Sequence, residues 1–129
     1  MSLSIIKIAL FARLESLVFP AGVTVFYPNI GADLPAGNFI RPDVLPASTA
    51  PLDLVGSNQE SGLLQVSIYV KKGLGELTSS GIAQTILDGF PRNLALNGVR
   101  IDRPGSIGPS FFDGNWQVTP VTIPYQNIA

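Results

Sequence analysis

Neither cysteine nor histidine occurs anywhere in the 129 residues. Without cysteine there is no disulfide framework, no thiol nucleophile and no thiolate metal site. Without histidine the commonest general base near neutral pH and the commonest transition-metal ligand are missing as well. Any chemistry would fall to carboxylates, hydroxyls and amines, so the pair of absences weighs against an enzyme, and we expect no catalytic, cofactor-binding or metal-binding residues and no cofactor. Charge is scarce too: Asp, Glu, Lys and Arg make up 13% of the chain, about half of the roughly 25% usual in soluble domains. Eight basic residues against nine acidic ones leave a net charge of −1, and the basic residues form no stripe, which argues against nucleic-acid recognition through phosphates. Long apolar runs are also lacking. The stretch from Ile5 to Phe19 is interrupted by Lys7, Arg13, Glu15 and Ser16 and falls short of the roughly 20 residues of a spanning helix. No basic segment and small-residue cleavage site mark a signal peptide, so we expect no membrane association and synthesis in the cytosol.

What the chain has in excess is apolar surface. Hydrophobic residues make up 46% and the mean hydropathy is +0.34. Too few charges exist to coat an isolated particle, and large exposed apolar patches mark interaction sites. Part of the exterior should therefore be buried against copies of the chain or other partners. A length of 129 residues fits a single domain, taken as residues 1–129.

The order of elements follows from periodicity. Leu3, Ile6, Leu10, Leu14 and Leu17 recur at steps of three and four, which predicts a helix over Leu3 to Val18, capped by Ser2 or Ser4 and ended by Pro20 and Gly22. Val23, Val25 and Tyr27 alternate with Thr24 and Phe26 as a short strand stopped by Pro28. From Pro28 to Ser61 prolines and glycines break the chain repeatedly, leaving Asn38 to Arg41 and Leu52 to Val55 as pairable pieces in a long loop suited to docking on a neighbour. Gly62 to Val70 is the clearest strand, with Leu64, Val66, Ile68 and Val70 on one side and Leu63, Gln65, Ser67 and Tyr69 on the other. A second helix is predicted over Leu77 to Phe90, with Ile82, Ala83, Ile86, Leu87 and Phe90 as its buried stripe and Gly81 as a weak point. Strands follow at Gly98 to Asp102, Ser106 to Phe112 and Asn115 to Tyr125. Asp113-Gly114 signals a hairpin between the last two, and Pro120 and Pro124 predict an edge strand or a bulge. The fold class is α+β: a mainly antiparallel sheet with two helices on one face and a long Pro/Gly-rich loop.

Three features could carry chemistry. Gly73, Gly75 and Gly81 lie between a strand and a helix, but they lack the Gly-Lys-Ser/Thr ending and the dinucleotide spacing of phosphate loops and read as a plain connection. Asp43, Asp53, Asp88, Asp102, Asp113, Glu15, Glu60 and Glu76 are scattered singly; two could meet in space as a hydrolytic pair, although solvated surface is their ordinary role. Phe111 and Phe112 flank the hairpin with Trp116, and neighbouring strand residues point to opposite faces, so one is expected in the core and the other at a contact surface. Candidate interface residues are Arg41, Leu52, Leu54, Gln59 and Glu60 in the long loop with Phe111, Phe112 and Asp113 at the hairpin.

Several segments together resemble the phage tail terminator-like proteins. These are Tyr27-Pro28-Asn29, the stretch Pro35 to Arg41 with Leu45-Pro46-Ala47, and Gly62 to Val70 followed by a glycine turn and the Ile82-Ala83-Gln84-Thr85-Ile86 helix. The ending Pro120-Val121-Thr122-Ile123-Pro124-Tyr125 completes the set, which spans nearly the whole chain, while the Lys71-Lys72 pair departs from it. The resemblance implies a virion tail or neck protein made in a bacterial host. Such a protein forms a ring, in the family a hexamer, that caps the tail tube, ends its polymerisation and offers a surface to head-completion and connector proteins. Its partners would be further copies of itself, the tail tube protein and those head-completion proteins. Other readings are a head-tail connector or tail tube subunit and, from a different class, a small carboxylate-based hydrolase or ligand-binding α+β domain.

Overall fold

The computed structural model describes residues 3–19, 23–27, 37–46, 50–51, 58–59, 61–71, 73, 76–96 and 98–127. Helix α1 spans Leu3–Glu15, and its helical stripe buries Ile6, Ala9, Leu10 and Leu14. It stops short of the expected Val18 because the last turn tightens: the Ser16 amide donates to the Ala12 and Arg13 carbonyls and its hydroxyl to Arg13 O at 2.6 Å. Helix α2 spans Glu76–Gly89 and buries Ile82, Ala83 and Ile86, with Phe90 buried just past its end. Gly81 lies inside the helix, where its carbonyl accepts both the helical ladder and the Thr85 hydroxyl at 3.0 Å. The two helices are joined where Arg13 Nε donates to Gly89 O at 2.8 Å, placing a cation on a carbonyl that the end of α2 would leave open.

The strands are β1 Thr24–Val25, β2 Phe39–Pro46, β3 Ala50–Pro51, β4 Asn58–Gln59, β5 Ser61–Lys71, β6 Ala95–Leu96, β7 Val99–Ile101, β8 Ser106–Ile107, β9 Phe111–Asp113 and β10 Trp116–Asn127. The main sheet runs β1-β2-β5-β10-β7-β6, with β8 and β9 also paired to β10, while β3 and β4 form a separate pair. Its pairings are antiparallel except β1 with β2. The predicted alternation in β5 is met: Leu64, Val66, Ile68 and Val70 are fully buried and the intervening residues are half-exposed. That buried side joins Ile40 and Val44 of β2, Val121, Ile123 and Tyr125 of β10, and residues of both helices in one core. The architecture is thus α+β, with the helices packed on one face of a mostly antiparallel sheet.

Three expectations are corrected. Asn115 to Tyr125 was expected at an edge or bulged, yet β10 lies inside the sheet and pairs with β5 from Trp116↔Lys71 to Gln126↔Ser61 without a slip. The prolines are tolerated because of their parity. Pro120 O accepts from Gly108 N at 2.8 Å and Pro124 O from Asp102 N at 3.1 Å. In an antiparallel strand the N and O of one residue point to the same side; both prolines therefore aim their missing donor away from β5, at the side where β9, β8 and β7 cover β10 only in pieces. Second, the supposed loop Pro28 to Ser61 contains β2, a strand of 8 residues paired along its length with β5. The same parity holds there: Ile40 O accepts from Phe26 N at 2.8 Å on the β1 side, so Pro42 and Pro46 also face away from β5. Third, Ser106 to Phe112 is not one strand but β8 and β9 with a break at residues 108–110, and the strand at Val23 to Tyr27 shrinks to Thr24–Val25. The predicted hairpin exists one residue along: Asp113 pairs with Trp116, so Gly114 and Asn115 are the turn, and Gly114 takes the positive φ of 61° that the first position of a type II′ turn requires. Leu52 to Val55, and Ser2 as a cap, lie outside the described residues.

Candidate interface on the open face of the sheet

Side chains alternate across β2, β5 and β10, so the residues not in the core share the face that carries neither helix. The registers Phe39↔Tyr69, Tyr69↔Val118 and Lys71↔Trp116, with Trp116↔Asp113 and Val118↔Phe111, set Phe39, Arg41, Tyr69, Trp116, Asp113 and Phe111 on this open face. Phe39 and Tyr69 stack with centroids 4.5 Å apart and planes 7° from parallel. Trp116 meets both edge-on, at 5.1 Å from Phe39 and 6.2 Å from Tyr69, and Phe26 adds a fourth ring 5.5 Å from Phe39. Offset and edge-to-face pairs of this kind contribute about 0.5–1.5 kcal/mol each beyond burial. The rings surround a cleft of about 220 Å³ completed by Arg41 and Asp113.

Arg41 is the polar element of this cleft. Its guanidinium carbon lies 6.0 Å from the Tyr69 centroid, at the outer limit for a cation–π contact. Asp43 Oδ2 is 3.4 Å from Nε, yet that nitrogen is buried and makes no hydrogen bond: the contact is an ion pair without hydrogen-bonding geometry. With side chains 40% and 46% exposed, the pair contributes at most about 1 kcal/mol. Arg41 is left with donors directed at an aromatic-walled cleft. The rim is fixed at its Lys71 end by that residue's amide, which donates to Asn38 Oδ1 at 3.2 Å. One guanidinium, one carboxylate and four rings can bind a partner surface; no base with an orienting partner is assembled here.

Of the sequence-predicted interface residues, Arg41 and Asp113 line this one cleft, although they lie 72 positions apart in the sequence. Phe111 stands on the same face, 53% exposed. Phe112 pairs with Gln117 and so points to the helix-bearing side, 64% exposed. The expectation that one of these two phenylalanines enters the core is therefore wrong: β9 has 3 residues and sits at the margin of the sheet, beyond the reach of the core on either face. Gln59 belongs to β4, where it pairs with Ala50. Leu52, Leu54 and Glu60 lie outside the described residues. Sequence reasoning missed Phe26, Phe39 and Tyr69 as site residues. The outward position of Tyr69 was present in the β5 alternation, but its meeting with Phe39 and Trp116 needed the registers of two long-range pairings.

No helix among the described residues is long and apolar enough to cross a membrane. Comparison with curated proteins finds no match. Among solved structures, one chain 27% identical to this one aligns over 98% of this chain and 96% of its own length with a TM-score of 0.73. The sequence profile of the family described as phage tail terminator protein matches residues 5–125. That span covers α2, the aromatic cleft and all but the first two residues of α1 and the last two of β10, so the chain belongs to the phage tail terminator protein family.

Proposed function

We propose that copies of this chain close into a ring, hexameric in number, that caps the phage tail tube, ends its polymerisation and presents a surface to head-completion proteins. The observation that carries this reading is the family match over residues 5–125, which makes the protein a structural component of phage tail assembly. Its physical chemistry supports the finer role. A chain with 13% charged residues, an aromatic cleft on an open sheet face and exposed Phe111 and Phe112 is suited to burial in an assembly. A ring follows when two different patches on each copy meet head to tail and the rotation closes. Termination follows when one ring face matches the tube end and the other offers no site for the next tube subunit. Arg41, Phe111 and Asp113 on the open face, Phe112 behind them, and Leu52, Leu54, Gln59 and Glu60 are the proposed contact residues.

The test is to add the purified protein to polymerising tail tube protein and measure tube lengths by electron microscopy. Tubes should become shorter and carry a ring at one end. Unchanged lengths over a wide range of stoichiometry would refute the capping role.

A further inference from the structure

Ser79, Gln117 and Thr119 are the buried polar side chains among the described residues, at 4%, 9% and 4% exposure. All three line a single cleft of about 220 Å³ between α2 and β8–β10, together with Ser80, Ala83, Ile107 and Ser110. It lies on the helix-bearing side of the sheet, behind the aromatic cleft. The Ser79 hydroxyl has no hydrogen-bond partner. The Ser110 and Thr119 hydroxyls are 2.7 Å apart; one donates to the other, and the acceptor's own proton remains for a third group. A buried hydroxyl without a partner, as that of Ser79 is, is unfavourable until something bonds to it.

The lining is also uncharged among the described residues. A carboxylate, phosphate or ammonium entering it would lose water and meet no opposite charge among them. A neutral group that donates and accepts is matched, which describes an amide. Beside this polar centre the surface is apolar: Ile107 is 47% exposed and Phe112, cross-strand neighbour of Gln117, is 64% exposed. A polar centre with an apolar flank fits a protein segment better than a free small molecule. The chain itself carries such a segment, since the β9–β10 hairpin displays Phe112 and ends in the turn Gly114–Asn115, whose carboxamide is exposed.

We propose that the Ser79–Gln117–Thr119 cleft of one copy receives the β9–β10 hairpin of a second copy, with Phe112 against Ile107 and the Asn115 carboxamide bonded to the unpaired Ser79 hydroxyl. This names a contact for the ring reading above and rests on it. Asp113 points to the other face of the hairpin, so its charge stays out of the cleft. Knob and cleft adjoin but the inserted Phe112 and Asn115 are not among the residues that line the cleft, so each copy can give its hairpin to one neighbour and receive that of another, a head-to-tail contact able to propagate.

Two variants test it on the full chain by sedimentation velocity over a wide concentration range. Ser110→Trp fills the mouth of the cleft from an exposed position, and Asn115→Asp puts a charge on the hairpin tip that an uncharged cleft rejects. Each should raise the concentration of half-association at least ~10-fold, as loss of a central contact does; the melting temperature should be unchanged in Asn115→Asp and lowered in Ser110→Trp, which also loses the Ser110–Thr119 hydrogen bond. An equimolar mixture should stop at dimers, because the intact hairpin of Ser110→Trp can enter the intact cleft of Asn115→Asp and nothing can add further. Either variant associating like the wild type, a mixture without dimers, or a wild type that stays monomeric overturns the contact. If the contact fails while the wild type still shortens tail tubes, the capping role stands; if wild type leaves tube lengths unchanged, the capping role is what has failed.

Discussion

Replacing Asp43 by proline separates the two sides of β2. Ile40 directs its carbonyl to Phe26 N on the β1 side, so position 43, of opposite parity, directs its amide at its β5 partner Gln65. Asp43→Pro deletes that donor, leaves a carbonyl on β5 without a partner and pushes the pyrrolidine ring toward the neighbouring strand. An unmet acceptor and a lost bond together amount to about 2–3 kcal/mol, and the steric clash adds about 1 kcal/mol more. Asp43→Ala removes the same side chain and its 3.4 Å contact with Arg41, a loss below about 1 kcal/mol for so exposed a pair. The backbone effect is thus a difference of about 3 kcal/mol between two variants that lack the same carboxylate. Urea unfolding followed by the fluorescence of Trp116, the single tryptophan, measures it. With a slope of about 2 kcal/mol per molar urea, the midpoint of Asp43→Pro should fall roughly 1.5 M below that of Asp43→Ala. Midpoints within about 0.3 M of each other would refute the assignment of proline parity in β2, and with it the account of Pro42.

Gly62→Ala should be strongly destabilising, by about 2–3 kcal/mol, because a Cβ there would stand 2.6 Å from both the Leu45 carbonyl oxygen and the Tyr125 hydroxyl; a melting temperature equal to the wild type's would contradict the close approach of β2, β5 and β10. Tyr27 donates to Glu15 Oε1 at 2.7 Å, and burial, followed by that hydrogen bond and the carboxylate charge, raises its pKa well above the ordinary tyrosine range. The folded state therefore holds the Tyr27 proton more tightly than the unfolded chain, and the stability this provides is full below about pH 10 and is lost as pH rises toward the folded pKa. Tyr27→Phe should lose roughly 0.5 kcal/mol at neutral pH and show a shallower fall of stability between about pH 10 and 12, and identical alkaline slopes for the two proteins would remove the Tyr27 contribution. Phe111→Ser, at a position 53% exposed, should change stability by less than about 0.5 kcal/mol while reducing tube capping; full capping activity would take Phe111 out of the interface.

Periodicity made much of this fold legible. The stripe of α1 and the alternation of β5 are properties of adjacent residues, and Ile6, Leu10, Leu14 and the even positions 64–70 are buried as their spacing requires. The prolines misled because a missing donor was counted without asking which way it faced. Direction depends on which neighbour each strand has, and neither β5 beside β10 nor β5 beside β2 is a local property. Phe39 shows the same limit: it follows a broken, proline-rich stretch and reads as a fragment, yet its pairing with Tyr69 makes it the centre of the aromatic cluster. Arg41 and Asp113 were singled out separately, and nothing in their local sequence states that they line one cleft. The buried polar group of Ser79, Gln117 and Thr119 was invisible for a related reason. Each residue alone is an ordinary helix or strand residue, and only the packing of α2 on β10 brings them together.

The parity of the prolines also bears on how the protein can assemble. Beyond the short β1, the outward-facing positions of β2 are Pro42, Val44 and Pro46, so two of three have no amide to offer an added strand. On the other side of β10, Pro120 and Pro124 withhold donors in the gaps between β9, β8 and β7. A sheet protected in this way resists open-ended growth by strand addition at those places, which suits the proposed role of stopping a polymer rather than extending one. In the proposed ring, contact would then be made by side chains on faces and by the projecting hairpin. Both clefts lie next to that hairpin, the aromatic one on the side of Phe111 and Asp113 and the hydroxyl-lined one on the side of Phe112. A single short strand pair thus presents different chemistry on its two faces, and that asymmetry is what the proposed directional, closing ring would require of each of its subunits.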